Sequence, residues 1–285
     1  MGSRAAKLRR SMSKVADRVN GRSAFPGRLA LTVALLMMLI LPASAQIGEH
    51  RSDLAVGVNG GYAMSSVRFL PKIPQKQEGG LTAGLTVRYT CEKYFKSICA
   101  IVGEVNMIQM GWKENIMTSG EQPVRVLDPV TNQPIDGKFE AYSRQMTYVQ
   151  IPIFARLGWG RERRGLQAFF QVGPQISYNL SESTKANFDL DHPNTAWGGR
   201  ASQVVKQYHM PIENRFDYGI AGGLGVEFSN RHIGHIMLEG RYYYGLGNIY
   251  GNSKRDYFAA SNFQTIVVKM SYLFDISRTK NDKIK

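Results

Sequence analysis

Residues 264–274 read QTIVVKMSYLF, and every second side chain in this stretch is apolar. The positions between them are mixed and include Lys269. Successive side chains of a β-strand point to opposite faces, so the stretch predicts a strand with one apolar face and one mixed face. The predicted apolar face consists of Ile266, Val268, Met270, Tyr272 and Phe274.

Seven other segments of the chain show the same alternation. The clearest is 216–228, where large apolar residues alternate with Gly, Ala, Asp and Glu. Eight strands of this kind predict an all-β protein. The predicted strands span residues 54–62, 81–90, 99–112, 142–158, 166–180, 216–228, 233–246 and 264–274.

The connections between these strands alternate between short and long. The short turns are 92–98, 158–165 and 229–231, and the long loops are 63–80, 113–141, 181–214 and 248–261. Outer-membrane barrels have this asymmetry, with short periplasmic turns and long external loops. A soluble periplasmic β-sandwich or barrel, the alternative, has no reason to segregate its loops. We therefore predict an eight-stranded antiparallel up-and-down transmembrane β-barrel over residues 46–274, followed by a periplasmic tail at 275–285.

The N-terminal segment has the features of a secretory signal. Eight Lys or Arg residues precede a 13-residue apolar run at 29–41, and the small residues 43–45 follow Pro42. This order predicts a signal peptide over residues 1–45, cleaved between Ala45 and Gln46. An uncleaved anchor helix is the alternative, but the apolar run is short for one. No later stretch approaches 18 apolar residues, so a membrane-spanning chain must use a closed barrel.

The net charge of +14 overstates the basicity of the exported protein. The first 45 residues hold eight basic residues and one acidic residue, which leaves 28 basic and 21 acidic residues, or +7. Export to the outer membrane excludes nucleic acid as a partner, and no basic helix or aromatic-basic module is present. The expected partners are outer-membrane lipid, whose anionic head groups suit a positive excess, and an envelope protein.

The two cysteines lie close in sequence and flank a predicted turn. Cys91 and Cys99 come from neighbouring strand ends if the strands 81–90 and 99–112 form a hairpin. In an oxidising periplasm this arrangement predicts a disulfide, with two free thiols as the alternative.

The predicted barrel interior is filled by side chains, because eight strands enclose little space. The inward residues Glu104, Glu239, Arg241 and Lys269 all fall near mid-height, which predicts a closed ion cluster; contact with trapped water is the alternative. We expect the remaining space to be filled by Phe154, Phe169 and Tyr243. Pro152 and Pro174 lie at similar heights on one hairpin and predict a local bulge or an opened ladder.

Several motifs resemble those of the PorT-like outer-membrane β-barrel family. Residues 148–154 (YVQIPIF) resemble its Y-x-x-I-P-hydrophobic strand, and residues 170–176 (FQVGPQI) resemble its following G-P strand. Residues 218–227 (YGIAGGLGVE) are similar to its glycine-rich strand, and residues 272–274 fit its terminal strand. The resemblance implies an outer-membrane barrel. One namesake of the family takes part in the type nine secretion system of Gram-negative bacteria, which implies a link to protein secretion.

The sequence offers little support for catalysis. His232 and His235 have a spacing that puts two rings on opposite faces of a strand, so we predict interfacial polar residues there and no metal site. Residues 222–225 (GGLG) lack the Lys-Ser/Thr of a phosphate loop, and no cofactor is expected. A lipid-active enzyme is the remaining alternative, with the loop residues Asp189, Asp191, His192 and His209 as its candidates.

The external loops are the expected place for function, since polar loops with aromatic residues suit the binding of a partner or a surface glycan. We therefore predict a non-enzymatic structural or adaptor protein of the outer membrane. A narrow transporter or pore is an alternative function, and a lipid-facing aromatic rim is an alternative role for the loop aromatics. The loop binding candidates are Trp112, Phe188 and Trp197.

Overall fold

The structure is a computed structural model that describes residues 49–94, 96–128, 130–161, 164–195, 200–230, 232–251 and 257–278. Eight long strands lie in these ranges, together with a short hairpin made by β4 (Arg125–Leu127) and β5 (Pro134–Phe139) and a 3-10 turn at Lys206–Tyr208. None of the helices in these ranges is long and apolar enough to cross a membrane. The long strands are β1 (Glu49–Leu70), β2 (Gln75–Tyr94), β3 (Ser97–Glu114), β6 (Tyr142–Gly160), β7 (Gly165–Ala186), β8 (Phe216–Asn230), β9 (Gly234–Gly245) and β10 (Ala260–Ser277).

The eight long strands form one closed antiparallel ring. Their order is β1-β10-β9-β8-β7-β6-β3-β2, so each strand pairs with its chain neighbour and β1 pairs with β10 to close the ring. The closing register runs from Leu54 opposite Ser277 to Leu70 opposite Ala260. The prediction of an eight-stranded up-and-down barrel is confirmed.

The outer face of the ring carries a band of exposed apolar side chains. Leu224 is 68% exposed and Met270 is 61% exposed, although both are large and apolar. An exposed apolar surface that runs round a barrel is the surface that acyl chains cover. Aromatic residues flank the band toward the external end, as expected for the membrane interface; they are Tyr62, Tyr178, Phe216, Tyr218 and Tyr242.

The strands extend further than the sequence predicted. β1 and β2 contain 22 and 20 residues and are joined by the four-residue connection 71–74, so the expected long loop at 63–80 is wrong. The polarity of the two faces inverts along this extension, because Val67 and Phe69 point inward and are buried while Arg68 points outward. Beyond the bilayer the outer face meets water, and the apolar residues turn to the inside.

The last strand is also longer than predicted. β10 continues through residues 275–277, so the boundary placed after Phe274 is too early. The remaining residues 279–285 lie outside the described residues, as do the predicted signal peptide and its cleavage point between Ala45 and Gln46.

The external end of the barrel is filled by an apolar core. The rings of Phe69 and Trp112 are 5.2 Å apart, and Phe258 lies 5.1 Å from Phe69 on another side. Tyr250 stacks on Phe258 at 5.5 Å. Phe69 and Trp112 come from β1 and β3, and Tyr250 and Phe258 come from the connection between β9 and β10, so strand ends and a loop together close the lumen toward the cell exterior.

The two prolines coincide with an interruption of one ladder. Pairing between β6 and β7 stops after Pro152 opposite Gln175 and resumes at Ala155 opposite Val172 in the same register. A proline lacks the N–H that a central ladder needs, which accounts for the gap. The structure therefore has an opened ladder at this point and no bulge.

We predict that Leu224→Arg destabilises the refolded barrel by about 2–4 kcal/mol, because Leu224 lies on the lipid-facing band. Val130→Arg is the matched control, since Val130 is 88% exposed in an external turn and should tolerate a charge. Urea unfolding in lipid vesicles measures both values. Equal stability of the two variants would contradict a lipid-facing position for Leu224.

Candidate functional site

Four charged side chains meet inside the barrel at mid-height. The Arg241 guanidinium donates to both carboxylate oxygens of Glu104, each at 2.9 Å, and its Nε donates to Glu239 at 2.8 Å. Lys269 pairs with Glu104 and lies 3.4 Å from Glu239. All four side chains are buried, and two positive charges face two negative charges. These are the four residues that the sequence placed at mid-height.

Neighbouring side chains complete the hydrogen bonding of this mid-barrel cluster. Asn106 donates to Glu104 at 2.7 Å, and Gln171 donates to Glu239 at 2.7 Å. The Arg241 guanidinium lies 4.3 Å from the ring centre of Phe154. A Cβ atom on Gly223 would lie 2.8 Å from Glu239, so a larger residue there would press on the cluster. Buried charge that is paired and hydrogen bonded in this way is tolerated in a closed lumen.

A second ionic network lies at the periplasmic end of the lumen. Glu227 accepts from Arg88 at 2.6 Å and also pairs with Arg156. His235 joins Glu227 to Asp275, with its Nδ1 2.7 Å from Glu227 and its Nε2 3.0 Å from Asp275. The expected interfacial role of His235 is wrong, since its ring is buried in this network, whereas His232 is exposed.

The sequence contained a signal for this periplasmic network. Arg88, Arg156 and Glu227 occupy inward positions of their strands by the period-two rule that located the mid-barrel cluster. They lie closer to the strand ends, and charged residues at strand ends are usually exposed. Only the closed ring shows that they converge.

The lumen contains small cavities. One of about 40 Å³ adjoins the periplasmic network, and another of about 10 Å³ adjoins Arg241 and Lys269. A single water needs roughly 10–15 Å³, so these cavities have room for isolated waters and not for a continuous aqueous path. Phe154, Phe169 and Tyr243 are buried in the lumen as the sequence predicted.

The two cysteines are free thiols in the structure. Thr90 pairs with Ala100 and Glu92 pairs with Cys99, which leaves Cys91 as the extra residue of a β-bulge. The disulfide predicted between Cys91 and Cys99 is absent from this structure, and the bulge takes Cys91 out of direct pairing with Cys99.

Above the membrane, Arg200 joins the external loops to the barrel. Its guanidinium donates to Glu140 at 2.9 and 2.7 Å and lies 3.6 Å from Glu114. It also donates to the Tyr208 hydroxyl, which in turn donates to Glu114 at 2.5 Å. Burial raises the pKa of the Tyr208 phenol, and the Glu114 carboxylate raises it further. Loop residues follow no periodicity, so sequence reasoning missed this contact.

Further hydrogen bonds fix the external loops to one another. Asn187 donates to the Phe139 carbonyl at 2.7 Å and accepts from the Ala141 backbone at 2.7 Å. Arg144 donates to the Met210 carbonyl at 2.7 Å and to the Tyr250 hydroxyl at 3.1 Å. The described residues of the connections β3–β6, β7–β8 and β9–β10 are therefore held together, and we call them the external cap (the described residues of 115–141, 187–215 and 246–259).

The external cap contains a cleft of about 550 Å³. Its walls are the β4–β5 hairpin and the segment that follows β7. The floor is apolar and the rim carries amides and charges of both signs. The residues that line it include Val126, Leu127, Ile135, Phe188, Asn132, Asn187, Asp128, Asp189, Lys138 and His192.

Two carboxylates on the rim of this cleft are held in their ionised form. The His192 ring lies 2.9 Å from Asp189, and this contact lowers the pKa of Asp189 and raises the pKa of His192. Backbone N–H groups of Thr131 and Val130 lower the pKa of Asp128. The rim therefore keeps fixed negative charge beside a protonatable imidazole.

The three loop binding candidates have different positions. Trp112 is 0% exposed and faces the lumen from β3, so the prediction that it contacts a partner is wrong. Trp112 occupies an inward position near the end of β3 and packs within the apolar core, which explains why its side chain is buried. Phe188 lines the cleft with its ring 5.7 Å from that of Tyr208. Trp197 lies outside the described residues.

The other candidate residues for chemistry form two exposed pairs in the external cap. His192 pairs with Asp189, and the His209 ring lies 3.8 Å from Asp191. In the part of the chain that the structure describes, no three His, Cys, Asp or Glu side chains converge as a metal site requires.

Residues 44–251 match the family described as the outer membrane protein beta-barrel domain. The match covers more than half of the 285 residues, and the chain belongs to this family. The protein is an integral β-barrel of the cell outer membrane.

Solved structures of other outer-membrane proteins are similar at low identity. Ail, the attachment invasion locus protein of Yersinia pestis, in complex with the heparin analogue sucrose octasulfate, has 11% identity and a TM-score of 0.31, with 78% of this chain and 99% of that chain covered. Neisserial surface protein A has 9% identity and a TM-score of 0.37, with 77% of this chain and 96% of that chain covered. The outer membrane protein OprG from Pseudomonas aeruginosa has 14% identity and a TM-score of 0.32, with 79% of this chain and 97% of that chain covered. No curated protein matches the chain.

We predict that Arg241→Met destabilises the barrel by about 3–5 kcal/mol, because it leaves Glu104 and Glu239 with one buried cation in place of two. Arg125→Met is the control, since the Arg125–Asp136 pair is exposed and should contribute at most about 1 kcal/mol. Urea unfolding of both variants in the same vesicles gives the comparison. A cost for Arg241→Met no larger than that of the control would exclude a structural role for the mid-barrel cluster.

We predict that Asp189→Asn lowers the pKa of His192, because the raised pKa comes first from the hydrogen bond to Asp189. The protonated ring should persist below this raised pKa and lose its proton as the pH rises through it. Asp191→Asn removes only a smaller coulombic contribution and should shift the pKa less. Carbon-detected histidine NMR across a pH series reports both shifts. An equal response to the two substitutions would contradict the pairing.

Proposed function

We propose that the protein is a non-conducting adaptor of the outer membrane that binds an envelope partner or surface glycan through its external cap. The observation that carries this proposal is the combination of a filled lumen with a fixed external cleft. The barrel anchors the cap in the membrane, and the cap presents the binding surface. Export would depend on a signal peptide at residues 1–45.

The filled lumen supports an anchor and not a channel. An ion that crossed the barrel would have to pass the periplasmic network, the mid-barrel cluster and the apolar core in turn. Glu104 and Glu239 are already neutralised by Arg241 and Lys269, so no free charged ring remains at mid-height to attract ions. The apolar core, with Phe69 and Trp112 at its centre, adds a dry barrier at the external end.

The external cap supports binding because it is organised before a partner arrives. Arg200 and Glu140 are both buried, and their hydrogen bonds tie the connection after β7 to the residue that follows β5. A loop that is already ordered loses less conformational entropy on binding than a mobile loop does. The cleft offers an apolar floor with amide and charged groups around it, a mixture that suits either a polypeptide segment or a sugar.

The sharpest form of this proposal is a component of the type nine secretion system. It rests on the resemblance of residues 148–154, 170–176 and 218–227 to PorT-like strands. These motifs lie in the barrel wall and not in the external cap, so they support the anchor more directly than the partner.

A photo-crosslinking residue at Ile135 tests the cleft, because Ile135 lines it from β5. Illumination of intact cells should give a discrete adduct to a protein or glycan. The same residue at Tyr257, which is exposed on the fourth external connection, is the control and should give no matching adduct. Adducts that do not differ between the two positions would count against binding in the cleft.

Planar-bilayer recording tests the filled lumen. We predict no stable conductance steps from the refolded wild-type protein, since buried side chains fill the lumen and the cavities beside the two ionic networks measure only about 40 and 10 Å³. Stable steps of constant size would refute the non-conducting anchor and favour the narrow pore.

A further inference from the structure

A row of lysines crosses the outer face of the barrel at its external end. Lys76 on β2 pairs directly with Lys113 on β3, Lys113 pairs with Ser143 on β6, and Ser143 pairs with Lys185 on β7. All three lysines are exposed. Arg68 on β1 also points outward at this end and donates to the Tyr244 hydroxyl at 3.2 Å.

This arrangement places like charges side by side without compensation. Residues that face each other across an antiparallel pair have Cβ atoms about 4.5–5.5 Å apart, and like charges in this position are destabilising. Among the described residues, no acidic side chain forms an ion pair with Lys76, Lys113 or Lys185. The row therefore presents concentrated positive charge to whatever surrounds the barrel.

The row lies just above the lipid-facing band. Lys76 is five residues beyond Leu81, which is 66% exposed on the same strand. A register shift between Gln77 and Thr82 takes up one of these five residues. With a rise of about 3.3 Å per residue and a tilt of about 40°, the remaining four place the Cα of Lys76 about 10 Å above that of Leu81. The long stem of a lysine bends toward the membrane easily, so its ammonium group reaches the head-group layer.

The row is confined to one side of the barrel. The outward positions at the external ends of β8, β9 and β10 carry no Lys or Arg. They are Phe216, Tyr218, Tyr242, Tyr244, Asn262 and Gln264. A general preference for positive charge near the membrane would spread round the ring, whereas this charge is concentrated on β2, β3 and β7.

We propose that Lys76, Lys113 and Lys185 form a lateral binding site for a phosphate-bearing lipid head group of the outer leaflet. The chemistry is charge complementarity: three ammonium groups, on β2, β3 and β7, face a polyanionic head group, and Ser143 on the intervening β6 adds a hydroxyl between two of them. The acyl chains of the same lipid would lie along the apolar band below. This site is separate from the cleft of the external cap and faces the membrane plane.

The test uses the full-length mature protein in a zwitterionic detergent, titrated with diphosphoryl lipid A and followed by native mass spectrometry. A lysine near an anionic lipid surface contributes about fivefold in affinity, so Lys76→Gln/Lys113→Gln/Lys185→Gln should bind about a hundredfold more weakly. The control is Lys96→Gln/Arg164→Gln/Lys206→Gln, which removes the same charge from exposed positions outside the row and the cleft and should bind like the wild type.

Each possible result decides the proposal. Weak binding by the first variant alone, with a steep loss on added salt, supports it. Unchanged binding by the first variant, or equal loss in both variants, overturns it. Displacement of lipid A by inorganic phosphate at the same phosphate concentration would also overturn it, in favour of a site for a small anion. Heat-dependent migration on gels checks that both variants are folded, and in the first variant the loss of Lys76 and Lys113 relieves the repulsion between these two paired side chains.

Discussion

The hydrogen bonds between β1 and β10 are the constraint on which the rest of the structure depends. Acyl chains offer no hydrogen bond to a backbone N–H or C=O, so a sheet in the bilayer must have no open edge. In this barrel, β1 pairs with β10 from Leu54 opposite Ser277 to Leu70 opposite Ala260, so the sheet has no open edge along this length. Closure with eight strands then fixes a narrow interior, and the interior determines which side chains can lie there.

That narrow interior separates the protein into layers along the barrel axis. At the periplasmic end, ion pairs connect Arg88, Arg156, Glu227, His235 and Asp275. Above them the mid-barrel cluster balances two cations against two anions, and its buried charges are stable because each has a partner. Above the membrane the inside becomes apolar, as in a soluble protein, and the external cap is built on that core. One closed sheet therefore has a lumen filled by charged side chains within the bilayer and an apolar core with the external cap above it.

The sequence predicts the part of the structure that the bilayer dictates. The period-two pattern locates eight strands and even places Glu104 and Arg241 at one height, because each strand must show lipid one face and the lumen the other. It fails where water replaces lipid. Residues 63–70 look like a loop because Arg68 and Ser66 interrupt the outer apolar face, although Val67 and Phe69 continue the strand inward. The Arg200–Glu140 contact joins loops 60 residues apart, and no local pattern encodes such a contact.

Methyl NMR in bilayers tests the central claim most directly, because it uses native side chains on both faces. A spin label deep in the acyl chains should broaden the methyl signals of Leu224 and Met270, and a water-soluble gadolinium complex should broaden Val130. The inward Val102 and Ile108, each 1% exposed, should be broadened by neither agent. If the gadolinium complex broadens Val102 and Ile108 as strongly as Val130, the lumen is open to water and the account is wrong.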